Sequence, residues 1–152
     1  MTRQHRRSAF TLIEVLIVVV IMAVLAATII PQFSSSTDDA KQSALKFNLH
    51  TLRSQIELYK LHHLGTTPAI TNGALPQLTS STNATGVVGA AGPSFPYGPY
   101  CLNALPANPY TGNSTVTAVA TFPPTAASGN GGWLYYAPTG QIAPDWAPYL
   151  TW

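Results

Sequence analysis

One segment near the N-terminus constrains this chain more than any other: residues 10–30, FTLIEVLIVVVIMAVLAATII, hold a single charge, Glu14. As a helix rising about 1.5 Å per residue, the segment reaches roughly 31 Å, the thickness of a bilayer's hydrocarbon core. Basic residues flank it only on the N-terminal side, in RQHRR (residues 3–7). Positively charged flanks stay in the cytoplasm, so the N-terminus is predicted to remain inside and everything after Pro31 to cross the membrane. A chain of 152 residues that gives up this segment retains enough length for one small outward-facing head.

The formal charge of +2 belongs to the leader, because Arg3, Arg6 and Arg7 precede the apolar run. Beyond residue 9, four basic residues (Lys41, Lys46, Arg53, Lys60) meet five acidic ones (Glu14, Asp38, Asp39, Glu57, Asp145), a net of −1. Residues 61–152 contain no Lys or Arg and only one carboxylate, that of Asp145. Nucleic-acid affinity rests on phosphate neutralisation, so such a head is a poor nucleic-acid binder despite its tyrosines. Cys101 is the only cysteine, which forbids an intrachain disulfide and reads as a small packing residue.

After the apolar run, Leu45, Leu49, Leu52, Ile56 and Tyr59 recur at spacings of four and three, which predicts an amphipathic helix with those residues on its buried face. Ser36 or Thr37 can cap its start, Asp38 and Asp39 suit the positive end of its dipole, and Gly65 with Pro68 supplies a stop. Pro31 removes a hydrogen bond to Ala27, at about 3 kcal/mol in a regular helix, so a kink or a locally unwound stretch is expected there. Either way the two helical segments form one spine, about 80 Å from Phe10 to His63 if unbroken. All eleven glycines and twelve of thirteen prolines lie from Gly65 onward, which marks a change of architecture. There, TVTAVATF (115–122) and the pair of runs around PTG in residues 133–143 predict a small antiparallel sheet, and residues 66–113 read as ordered loop. The expected organisation is leader 1–9, membrane helix 10–30, amphipathic helix 31–64 and a loop-rich β head 65–152, an α+β fold.

An ordinary secretory signal is cut after its apolar region, but here the most specific pattern lies before it, in RRSAFTLIEV. This resembles the prepilin cleavage site of the type IV pilin and pseudopilin superfamily, which Phe10, Thr11, Leu12, Ile13 and Glu14 match position by position. The resemblance implies cleavage between Ala9 and Phe10 by the prepilin peptidase, a membrane aspartyl protease, and N-methylation of Phe10. Ala9 departs from the family's usual glycine and is the smallest replacement. A carboxylate in an apolar helix costs about 2.5–3.5 kcal/mol near the bilayer centre and calls for a partner. By the resemblance that partner is the freed ammonium of Phe10 on a neighbouring subunit, a pairing that sets the register of assembly. Headgroup-facing snorkelling is the competing role for Glu14. Pro31 matches a proline where family helices bend or melt on packing.

Further along, LYKLHHLGTTP resembles the end of the spine in major pseudopilins of type II secretion. LPANPYTGNS resembles their Leu-Pro-x-x-Pro-aromatic-x-Gly-Asn loop, and GGWLYYAPTGQIAPD a terminal hairpin. Adhesive type IV pilins usually close a C-terminal loop with a disulfide, which a lone Cys101 forbids. The implied function is a non-enzymatic filament subunit of a type II secretion pseudopilus in the bacterial inner membrane. Its implied partners are the prepilin peptidase, further copies of the chain, minor pilins or pseudopilins and the inner-membrane assembly platform. A pilus for adhesion or motility and a membrane-anchored binding module are the alternatives. Calcium, bound in such pseudopilins by acidic loop residues, finds only Asp145 here, and hard cations want several oxygen ligands, so no cofactor or metal is expected.

Three other groups of side chains bear on function. His62 and His63 point about 100° apart on a helix, are not a metal pair, and read as solvent-facing. A nucleophilic set of Cys101, His62 or His63 and Asp145 has no local support. Tyr97, Tyr100, Tyr110, Trp133, Tyr135, Tyr136, Trp146, Tyr149 and Trp152 serve either as core of a charge-poor head or as a carbohydrate- or protein-binding face, core being favoured.

Overall fold

The computed structural model describes residues 10–152, without the side chains of 31–35; the leader and Ala9 lie outside the described residues. Its elements in chain order are α1 (Leu12–His62), α2 (Pro76–Thr79), β1 (Ser81–Thr82), β2 (Val88–Gly89), β3 (Val116–Ala118), β4 (Trp133–Tyr136) and β5 (Gln141–Pro144). A 3₁₀ turn over Ala147–Tyr149 follows. Contacts divide the chain into one unit ending at Ala40 and a compact unit, Lys41–Trp152.

The first unit carries the apolar part of α1. Residues Leu12–Ile30 have a mean hydropathy of 3.0 and none of them is buried within the chain. Helical assignment continues without a break through Pro31, so no unwound stretch appears there, and through Ser36 and Thr37, so no second helix starts at either residue. The expected cap is thereby corrected: residues 32–44 contain neither glycine nor proline, and nothing in them stops a helix already under way.

In the second unit, Leu45, Leu49, Leu52, Ile56 and Tyr59 are all buried and join one core with Leu75, Leu78, Cys101, Leu105, Val116, Trp133, Tyr135 and Ile142. Each large apolar side chain so buried contributes about 1.5–3 kcal/mol, which makes the helical stripe the main cement of the head. α1 stops as its glycine and proline signals predict: Leu64 and Gly65 turn to φ +54° and +83°, and the Gly65 amide donates back to the Lys60 carbonyl at 2.8 Å.

The hairpin β4–β5 is antiparallel, with Trp133 opposite Pro144 and Tyr136 opposite Gln141. β3, by contrast, pairs parallel with β4, Val116 opposite Trp133, so the three-stranded sheet is mixed rather than antiparallel. A parallel pairing needs a long crossover, and residues 119–132 supply one without a helix. Residues 66–113 are not wholly loop, since they form α2 and the small antiparallel pair β1–β2.

Cys101 is buried, as a packing residue should be. His63 corrects the solvent-facing reading: it is 2% exposed, stacked on Tyr59 at 3.9 Å, with its ring nitrogens 2.8 Å from the Tyr59 carbonyl oxygen and 2.9 Å from that of Asn83. His63 follows Tyr59 by four residues on the buried stripe, and the β1 turn arriving beside α1 supplies the carbonyl that its second ring nitrogen meets. His62 is half-buried, 3.0 Å from the Tyr100 hydroxyl.

Tyr135 is fully buried and its hydroxyl donates to the Pro68 carbonyl at 2.9 Å. Burial pushes its pKa up to about 12, with the neighbouring Thr67 hydroxyl opposing that shift. A tyrosine whose folded pKa lies above its unfolded value near 10 contributes stability below pH 10 that is lost as pH rises toward 12. Alkaline unfolding between pH 10 and 12 is therefore expected to be shallower in Tyr135→Phe than in the parent, measured by circular dichroism; equal slopes would count against it.

Candidate assembly site at the N-terminal turn

Phe10 is the first described residue and is 87% exposed. Thr11 and Glu14, three residues apart, tie off the beginning of α1 with three hydrogen bonds. The Thr11 amide and hydroxyl both donate to Glu14 Oε2 at 2.7 Å, and the Glu14 amide donates to Thr11 Oγ1 at 3.3 Å. This is a reciprocal capping box, which satisfies two of the amides that a helix start leaves without partners. The first backbone bond of the helix, Val15 amide to Thr11 carbonyl at 3.4 Å, follows directly.

This arrangement was not among the expectations above, although Thr-x-x-Glu ahead of an apolar run is its ordinary signature. It matters chemically because Glu14 already holds a backbone N–H one residue away from the Phe10 nitrogen. Phe10, Glu14, Val15, Val18 and Val19 share one exposed, mostly apolar face of this N-terminal stretch.

The remaining candidates are engaged elsewhere. Burial raises the pKa of the Cys101 thiol, which opposes thiolate formation. His63 faces backbone carbonyls, and Asp145, 2% exposed, accepts from Ser128 and Gly131. These three side chains do not form a nucleophilic set. No three His, Cys, Asp or Glu side chains gather as a metal shell among the described residues. The donors around Asp145 also do not fit calcium, since both of its oxygens accept from N–H or O–H groups. Of the aromatics, Trp133 and Tyr135 are core, whereas Trp146 is 37% exposed and stacks on Tyr110 at 5.4 Å.

Residues 4–30 match the family described as the prokaryotic N-terminal methylation motif. The match includes Phe10, Thr11, Leu12, Ile13 and Glu14, the residues that resemble the prepilin cleavage site of the type IV pilin and pseudopilin superfamily. The chain is similar to type II secretion system core protein G of Pseudomonas aeruginosa, 39% identical over 59 residues that cover 39% of this chain and 42% of the relative. The protein of that name from Klebsiella michiganensis is 36% identical over 61 residues (40% and 42%), and that from Escherichia coli K12 30% over 69 residues (44% and 48%). The matched stretch covers less than half the length of each of these relatives. No solved structure matches the chain.

Proposed function

We propose that this protein is a structural subunit of the pseudopilus of a type II secretion system, polymerised through the apolar part of α1. The observation that carries the reading is Glu14: a carboxylate in a bilayer-length apolar helix, directly after Phe-Thr-Leu-Ile and held by the amide and hydroxyl of Thr11, the neighbour of Phe10. In the assembled filament its partner is the ammonium of Phe10 on an adjacent copy. Before assembly the subunit stands in the inner membrane with its N-terminus cytoplasmic and its head outside, in keeping with the basic flank. Prepilin peptidase, minor pseudopilins and the assembly platform are its partners, and its role is mechanical rather than catalytic. Similarity to core protein G, together with the lack of any cysteine pair, favours a pseudopilus over an adhesive or motility pilus.

Deleting the gene is expected to abolish export of secreted enzymes without removing surface fibres. Fibre loss with intact export would favour the pilus, and no loss of either would leave a membrane-anchored binding module. Processing is tested on protein extracted from membranes by intact mass and N-terminal sequencing, with Phe10 expected as the first residue and a methyl group on its nitrogen. A start at residue 28 or beyond would mean ordinary signal-peptide cleavage and would end this reading.

A further inference from the structure

We infer that the crossover joining β3 to β4 is locked by the Asp145 carboxylate, so that the head folds without a divalent cation. The carboxylate enters from the end of β5 and meets the last turns of the crossover. Oδ1 accepts from the Ser128 amide at 2.6 Å, while Oδ2 accepts from the Ser128 hydroxyl at 2.5 Å and the Gly131 amide at 2.8 Å. Two backbone amides and a hydroxyl converging on one anion have the polarity opposite to that of a calcium site, where carbonyl and carboxylate oxygens converge on a cation.

The carbonyls of the same stretch are used up in the opposite direction. Asn130 O accepts from Asn113 Nδ2 at 2.6 Å, and Gly131 O accepts from the Thr111 hydroxyl. Gly132 O accepts both Asn108 Nδ2 at 3.2 Å and the Asp145 amide at 3.0 Å. The Asn108–Asn113 part of the LPANPYTGNS motif therefore serves as the other half of the lock. Gly131 takes φ +74°, and a Cβ on Gly132 would lie 1.9 Å from the Thr115 carbonyl oxygen, so the loop can pass this point only through glycines. A cation at Asp145 would have to displace three donors and would find no free carbonyl among those of residues 130–132.

The test uses the full-length chain in detergent, melted in millimolar calcium chloride and in chelator, with subtilisin cleavage within residues 119–132 as a second readout. The parent is expected to melt at the same temperature in both conditions and to resist cleavage equally. Asp145→Asn turns one acceptor into a donor facing donors, and is expected to lower the melting temperature by at least about 5 °C and to expose the loop to protease, with or without calcium. Should Asp145→Asn give no folded protein, Ser128→Ala, which removes one donor of the three, is expected to show a smaller loss in the same direction. Calcium-dependent melting of the parent, or variants that melt and resist cleavage like the parent, would overturn the inference.

Discussion

Glu14→Leu and Glu14→Gln, each as the sole copy in the cell, are expected to abolish filament assembly and export while leaving membrane insertion and the melting temperature of the head unchanged. Removing a charge from an apolar helix eases insertion, by about 2.5–3.5 kcal/mol near the bilayer centre. The head is insensitive because α1 contributes to its core only from Leu45 onward. Assembly is another matter, since an ammonium buried among neighbours without its carboxylate costs about 3–5 kcal/mol, repeated at every subunit. The two variants separate two roles of one side chain. Glutamine keeps an oxygen for the Thr11 amide and so preserves the helix cap, whereas leucine loses cap and charge together. If glutamine supported normal fibres or export, the charge pairing would be wrong and the cap would be the function; if leucine did so, Glu14 would be a passive headgroup-facing residue. Mixed strains are uninformative, because parental neighbours keep their own pairs.

The second large effect is expected in the head. Trp133 is fully buried at the start of β4, where its indole N–H donates to the Pro106 carbonyl at 2.8 Å. Trp133→Ala would empty the junction between the helical stripe, the sheet and the LPANPYTGNS loop, and would leave that carbonyl without its donor. Loss of a buried aromatic of this size costs about 3–5 kcal/mol, a large share of the roughly 5–15 kcal/mol that stabilises an ordinary domain. The expected result is a subunit that inserts and is processed normally but whose head unfolds at or below growth temperature, measured by near-ultraviolet circular dichroism. Trp133→Phe, which keeps most of the volume and loses only the N–H, should be far milder. Similar melting curves for the alanine variant and the parent would mean that the sheet does not depend on this contact.

Much of the architecture was legible in the chain because it is written in local periodicities. An apolar run of bilayer length with a single charge is read as a membrane-spanning helix, and the residues buried on the second half of α1 are the ones its four-and-three spacing predicts. The hairpin β4–β5 was equally plain, two short strands about a Pro-Thr-Gly turn. The N-terminal motif was legible for a different reason: the residues around the single carboxylate match the family described as the prokaryotic N-terminal methylation motif.

What the sequence by itself left open were pairings between segments far apart in the chain, where no local period reports the outcome. β3 lies parallel to β4 because residues 119–132 loop back under the hold of Asp145, a contact across more than ten residues that strand alternation cannot reveal. His63 follows Tyr59 by four residues and so continues the buried stripe of α1, but its polar ring is accommodated there only because Thr82 and Asn83 come to rest against it. The aromatic residues divided into core and surface by the same logic, since Trp133 and Tyr135 point into the space that α1 closes whereas Trp146 sits beyond it. Periodicity fixes which way a side chain faces along its own element; only the docking of other elements decides whether that direction is core or solvent.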